Sequence, residues 1–327
     1  MRKNIWLGIF SIGFCLSLSC TALSAEKLRV VFPIMGIALS PSWVAVEKGM
    51  WRKNALDVEL ILLTGGGRVV PALVSGSAQV LLAADTGVIM AIHQGMDLVR
   101  LGVTTNSLPS SLFTVPDIQS VRDLKGKVLG VSRGRDASYV RLTKLLRDHG
   151  VNSSDEVKFL TIGEGQAARV SALKARVIHG TVLSPPFDMA ATKEGLKMLA
   201  KLDIPTTGGT ITTTATFLKG NRSILINFLK GYMEGVHFLL RNKDESMKVL
   251  SKYLRNPDMI TMGYFYEQVS QRVERGLRPN AESVRFVNDL VAMDDPKAKR
   301  LAEKDYWDLS LIEEIQQSGF IDRLYKE

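Results

Sequence analysis

The side chains with chemistry to offer gather at a few junctions marked by glycine, proline and serine. Ser132-Arg133-Gly134-Arg135-Asp136-Ala137-Ser138 holds a guanidinium, Arg133, able to pair bidentately with a carboxylate, sulfonate or phosphate. Ser138 could donate from the start of the helix that follows. Gly65-Gly66-Gly67 lets the backbone approach a ligand closely or take up positive φ. In Ala84-Asp85-Thr86-Gly87, Asp85 either caps the next helix or accepts a hydrogen bond from a ligand. Gly36, Ser40 and Ser42 mark one further junction, Gly163-Glu164-Gly165-Gln166 a second and Ser184-Pro185-Pro186-Phe187-Asp188 a third. The candidate ligand contacts are therefore Ser40, Ser42, Trp43, Gly66, Gly67, Asp85, Thr86, Arg133, Ser138, Glu164, Ser184 and Asp188. Trp43, Tyr139 and Phe187 are either walls of a binding site or core aromatics.

These groups suit binding better than catalysis. His93, His149, His179 and His237 form no metal-ligand spacing, and G-x-S-x-G and P-loop signatures are absent. Gly163-Glu164-Gly165-Gln166-Ala167-Ala168 fits the G-x-G-x-x-A pattern. The acidic residue a dinucleotide site needs at the end of the next strand is replaced by Val182-Leu183-Ser184. No catalytic residue, metal or cofactor is expected. The formal charge of +9 is spread along 327 residues. Its densest run, Lys297-Ala298-Lys299-Arg300, is flanked by Asp294, Asp295, Glu303 and Asp305 without interleaved aromatics, which argues against a nucleic-acid partner.

The elements that must position these junctions alternate. Strands are expected over 27–34, 57–64, 78–84 and 97–104, with helices over 41–54, 68–75 and 86–94 between them. The order recurs with strands over 127–132, 157–162 and 177–183 and helices over 137–149, 166–174 and 186–194. Landmarks repeat at an offset of 100: Ala72-Leu73 with Ala172-Leu173, Ala91 with Ala191, Gly95 with Gly195. This implies two α/β lobes built alike. Residues 208–218, rich in Thr, fit one more strand, and the chain is helical from 223 onward, with breaks near Pro257, Pro279 and Pro296.

The first 25 residues read as a secretory leader: basic Arg2-Lys3, a mostly apolar run over 5–18, then Ala22-Leu23-Ser24-Ala25. A membrane anchor and a lipoprotein leader ending at Cys20 are the alternatives. Arg2 and Lys3 are the leader's only charges, so its removal takes the formal charge from +9 to +7. Both cysteines, Cys15 and Cys20, leave with it. No later stretch is apolar for the ~18 residues a membrane span needs.

The run Pro41-Ser42-Trp43-Val44-Ala45-Val46-Glu47-Lys48-Gly49-Met50 resembles the first helix of the nitrate/sulfonate/taurine-type substrate-binding proteins of ABC importers. The thiamine-pyrimidine-precursor binders belong with that group. Leu56-Asp57-Val58-Glu59, Gly65-Gly66-Gly67, Ala72-Leu73-Val74-Ser75-Gly76, Asp123-Leu124-Lys125-Gly126-Lys127, Ser184-Pro185-Pro186 and Gly319-Phe320-Ile321-Asp322 continue the likeness. The resemblance implies a bilobal type II periplasmic-binding-protein fold: two parallel or mixed sheets flanked by helices and joined by a two-strand hinge. Lobe one would hold 27–115 and 213–327, and lobe two 116–212. It also implies an exported, periplasmic monomer that closes over a small polar solute, anionic or zwitterionic. Its partners would be that solute and an importer permease with its ATPase, which would be its only link to the membrane. An enzyme (synthase or lyase) on the same fold and a stand-alone ligand sensor are the alternatives. The related eukaryotic synthase carries a cysteine-rich site that residues 26–327 lack.

Overall fold

The structure, a computed structural model, describes residues 25–63, 66–83, 85–132, 137–152, 155–163, 165–294, 304 and 306–326. The expected leader, with Cys20, falls outside them apart from residue 25.

The first half of the chain runs β1 (Glu26–Phe32), α1 (Ser40–Glu47), α2 (Met50–Lys53), β2 (Leu56–Leu62), α3 (Val69–Val74), β3 (Val80–Ala83), α4 (Asp85–His93) and β4 (Val99–Gly102). The second runs β5 (Thr105–Thr114), β6 (Val128–Val131), α5 (Ala137–Asp148), β7 (Lys158–Thr161), α6 (Gln166–Lys174), β8 (Gly180–Leu183), α7 (Phe187–Lys193) and β9 (Lys197–Gly208). After β10 (Thr210–Thr213) come α8 (Ala215–Gly220), α9 (Arg222–Arg241), α10 (Lys243–Leu254), α11 (Met259–Ser270), α12 (Ala281–Asp294), α13 (Ser310–Gln317) and α14 (Phe320–Tyr325).

The strands form two mixed five-stranded sheets, β2-β1-β3-β10-β4 and β7-β6-β8-β5-β9. The central strands β3 and β8 are buried throughout, which is why VLLA and GTVL read as unbroken runs rather than alternations. In the first sheet, alternate residues serve different faces. Val30 and Leu82 join the core beneath the C-terminal helices, whereas Val31 and Leu81 pack with Val69, Leu73 and Val88 of α3 and α4. The second sheet has its own core, with Leu129, Leu142, Leu146, Leu173 and Val182.

The expected repeat is visible bond by bond. The amides of Gly76 and Arg176 donate to the carbonyls of Leu73 and Leu173, those of Met96 and Leu196 to Ala91 and Ala191. Gly95 and Gly195 both adopt positive φ, 84° and 73°.

Two expectations change. The helix over 41–54 is two helices, because Gly49 turns left-handed at φ 66°. The strand over 208–218 ends early: Thr214 caps α8, its hydroxyl accepting from the Phe217 amide at 3.0 Å. Residues 105–114 are β5 and pair in the second sheet, whereas 210–212 pair in the first. The chain therefore crosses between sheets at 103–104 and at Gly209. Those crossings touch: the Thr104 amide and hydroxyl both donate to the Gly208 carbonyl, at 3.2 and 3.1 Å. Asn106, at the start of β5, ties the crossing to the C-terminal helices, bonding Glu274 Oε2 and the Arg278 carbonyl at 2.8 Å and accepting from Ser283 Oγ at 2.9 Å.

Helix α9 anchors the C-terminal helices to the first sheet. Its stripe of Leu225, Phe228, Leu229, Tyr232, Val236 and Leu239 is buried. Gly231 and Gly235, one turn apart, let α1 and α2 approach closely, since a Cβ would meet Trp51 Cδ1 at 2.3 Å or the Pro41 carbonyl at 2.6 Å.

Candidate ligand-binding cleft

In open α/β sheets, ligands sit beyond the carboxyl ends of the strands, where helix N-termini point. In the second half this end carries a serine- and arginine-rich cluster. Ser138, 6% exposed at the start of α5, accepts from the Ser132 amide at 3.0 Å. Arg169 of α6 is 4% exposed, and its guanidinium donates to Ser132 Oγ. Ser184, just after β8, lies 3.1 Å from Ser110 Oγ, to which Arg141 donates at 3.0 Å. The Ser184 amide donates to Gln166 Oε1 at 2.7 Å. Two guanidinium groups and four hydroxyls thus share one end of a sheet, a donor-rich arrangement suited to negative charge.

Three residues past Ser184 the chain enters α7, which reaches the C-terminal helices. Tyr264 of α11 donates to Asp188 Oδ2 at 2.6 Å. Lys193 forms an ion pair with Asp258, just before α11, and donates to Thr261 Oγ1 at 3.1 Å. Arg272 meets Asp203 of β9 at 3.3 Å. Burial raises the Asp188 carboxyl above its ordinary value, against the hydrogen bonds from Tyr264 and the Met189 amide. Asp258 is held well below the usual carboxylate range, first by the Lys193 ammonium and next by the Thr261 hydroxyl.

Between α7 and the corner joining α10 to α11 lies a cavity of about 1010 Å3. Met35 and Leu62, from the strand ends of the first sheet, line it with Pro186, Phe187, Ala190 and Lys193 of the second half and with residues from Lys252 to Thr261. Tyr253 forms one wall, stacked on Trp43 at 5.3 Å with ring planes 8° apart. Burial, then Glu47 beside it, pushes the Tyr253 phenol up to about 12.

The sequence-derived candidates divide accordingly. Ser184, Asp188 and Ser138 fall in the second half's strand-end region and the contact across to α11. Phe187 lines the cavity and Tyr139 packs on Phe159 at 4.6 Å. Of the two readings left open for Trp43, the structure has the core one: it is wholly buried behind Tyr253, on the core side of α1. Ser40 and Ser42 are buried with it, their hydroxyls turned back to the carbonyls of Gly36 and Leu39 at 3.4 and 2.6 Å. Gly66 and Gly67 form a short 3-10 turn leading into α3, and a Cβ on Gly67 would meet open space, so no close approach there demands glycine. Asp85 and Thr86 open α4. Arg133 and Glu164 lie outside the described residues.

Arg169 escaped the sequence reading because it sits four residues into a helix, a position usually solvated. Its neighbour in space, Ser132, is 37 residues away. Tyr264 escaped for the same reason, with Asp188 76 residues distant.

With this geometry in view, the comparisons decide the family. The NMT1/THI5-like family description matches residues 38–246. The chain belongs to the NMT1/THI5-like family. No curated protein matches the sequence. Among solved structures, the periplasmic aliphatic sulphonate binding protein SsuA of Escherichia coli is 19% identical with a TM-score of 0.69, over 88% of this chain and 98% of that one. The alkanesulfonate-binding protein SsuA of Xanthomonas axonopodis pv. citri, solved with MOPS, is 19% identical with a TM-score of 0.68, over 86% and 98%. A Candida albicans protein described as having the generic periplasmic binding protein fold is 16% identical with a TM-score of 0.67, over 89% and 95%. The NMT1/THI5-like chain has that bilobal α/β fold, in which the paired strands β5 and β9 lead into and out of the second sheet.

Proposed function

We propose that this NMT1/THI5-like protein is an exported solute-binding protein. It would deliver a small polar organic solute, anionic or zwitterionic, to an ABC importer by closure of its two lobes. The observation that carries the reading is the cavity walled by Met35 and Leu62 from one sheet, Phe187 from the other half, and the α10–α11 corner. A solute touching walls from both halves has its full set of contacts only when they are together, so it shifts the population toward the closed form. The serine–arginine cluster at the strand ends of the second half supplies the donors an anion requires. Family membership and the bilobal fold support the same reading. Lobe one then comprises residues 26–102 with 210–326, and lobe two 105–208. The protein acts in the periplasm as a monomer, releases its solute to a permease and its ATPase, and turns nothing over. Among the described residues no helix is long and apolar enough to cross a membrane.

The test combines a thermal-shift screen of sulfonates, nitrate, amino acids, pyrimidines and aromatic acids with small-angle scattering on each hit. A true solute raises the Tm by mass action and reduces the radius of gyration. An unchanged radius at saturation refutes closure, and a product accumulating from any hit makes the protein an enzyme instead.

A further inference from the structure

Away from the cleft, Arg100 of β4 is 1% exposed, an arginine sealed inside the protein. Its backbone pairs with the C-terminal segment: its amide donates to the Tyr306 carbonyl and its carbonyl accepts from the Asp308 amide, both at 2.9 Å. That pairing lays Trp307 and Tyr306 over the guanidinium, with ring centroids 4.0 and 5.4 Å from Cζ. A desolvated guanidinium is held firmly by such aromatic faces, while its N–H groups stay free to donate in their own plane. Nη2 donates to Thr207 Oγ1 at 2.5 Å and to Thr210 Oγ1 at 2.9 Å.

Those two hydroxyls flank the second crossing between the sheets. Thr207 stands at the end of β9 in the second sheet, Thr210 opens β10 in the first, and Gly208-Gly209 lies between them. Adjacent glycines are the most pliable backbone a chain can offer. Here they are bridged. The Thr210 hydroxyl donates on to the Thr207 carbonyl at 2.6 Å, and the Gly208 carbonyl is taken by Thr104 of the first crossing. Thr104, Thr207 and Thr210 are wholly buried, so breaking these bonds leaves polar groups unsatisfied. Thr212, two residues further along β10, is just as buried, and its hydroxyl meets no partner among the described residues. A well-packed apolar side chain often serves stability as well as a buried charge does. What the guanidinium adds at this place is a fixed geometry across two glycines.

We infer that Arg100 is a positioning residue that sets the resting angle between the two halves. Through Thr207 and Thr210 it splints the Gly208-Gly209 crossing, and Tyr306 and Trp307 hold the splint in place from the C-terminal segment. The inference goes beyond the solute-binding reading. It concerns the protein before any solute arrives, so it holds whatever that solute is.

Residues 26–327 contain no cysteine, so Ser223→Cys on α9 and Arg147→Cys on α5, both exposed positions, can carry a pair of spin labels in the mature protein. Double electron–electron resonance without solute then reads the spread of distances between the halves. Thr207→Val keeps the β-branched shape and deletes the hydroxyl; it should widen that spread about twofold, and Arg100→Met should widen it at least as much. Thr207→Ser restores the hydroxyl and should return the wild-type width. Thr212→Val makes the same chemical change at a hydroxyl without a partner and should leave the width alone. Urea midpoints are measured alongside, because a general loss of stability does not produce this order. If Arg100→Met fails to fold, the threonine series decides. Equal widths for wild type and Thr207→Val overturn the inference, as does a Thr207→Ser spread as wide as that of Thr207→Val, or equal widening by Thr212→Val.

Discussion

Tyr264 donates a 2.6 Å hydrogen bond to the Asp188 carboxylate, and the two residues stand on opposite sides of the cleft, one on α11 and the other on α7. Lys193 repeats the crossing one turn and a half along α7, through Asp258 and Thr261. The acceptor of the first contact is nearly buried, at 5% exposure, so its hydrogen bond is costly to lose, whereas the more exposed Lys193–Asp258 pair contributes little.

Tyr264→Phe is accordingly expected to destabilise the joined arrangement by about 2 kcal/mol, the range for a hydrogen bond to a charged group. Small-angle scattering without solute should show a larger radius, and urea unfolding a lower midpoint. Lys193→Ala should move both much less. An unchanged radius in Tyr264→Phe would show that this bond does not hold the halves together.

Asp188 carries a pH signature. Its carboxyl is raised above the ordinary value by burial, so the folded protein holds a proton there that the unfolded chain has released. Between the ordinary aspartate value, about 3.9, and the raised folded value, stability therefore falls as pH rises. Above the folded value the full desolvation cost is present. Asp188→Asn retains an acceptor for Tyr264 and removes the titration. Its urea midpoint should lack that downward component across the window while wild type shows it. Parallel pH curves for the two proteins would mean that Asp188 titrates normally.

Gly209 governs the crossing between sheets. Its φ of +59° is left-handed, and a Cβ there would sit 2.1 Å from Thr104 Oγ1 and 2.8 Å from Ala38 Cβ. Gly209→Ala thus combines backbone strain with overpacking and should destabilise the protein by about 2–4 kcal/mol. Gly67→Ala, with open space around the added methyl, should stay within about 0.5 kcal/mol of wild type. Chemical denaturation of both variants checks the contrast, and equal losses would contradict the packing at the crossing.

The sequence by itself determined the alternation of strands and helices and the repeat. Central parallel strands must be apolar on both faces, and helices must carry a 3.6-residue stripe, so both patterns stand in the residue order. Strands β5 and β9 left no such mark. Pro109 and a serine run interrupt β5, which pairs with β8 only from Ser111 onward, and β9 tolerates Pro205 as an edge strand. Gly66, Gly67 and the Ser184-Pro185-Pro186 turn were legible as punctuation, and they do bound helices or lie next to them, whereas the break at Gly49 was not.

What the tertiary structure alone decided is which side chains meet. Trp43 and Phe187 look equivalent in sequence, yet one is sealed behind Tyr253 and the other lines the cavity, because the rotation of each helix is set by its packing. Arg169 and Ser132, or Tyr264 and Asp188, are far apart along the chain and adjacent in space. Periodicity encodes the face a residue takes within its own element. It carries no information on which other element covers that face, so the cleft and its charges arise only when the two sheets and the C-terminal helices pack together.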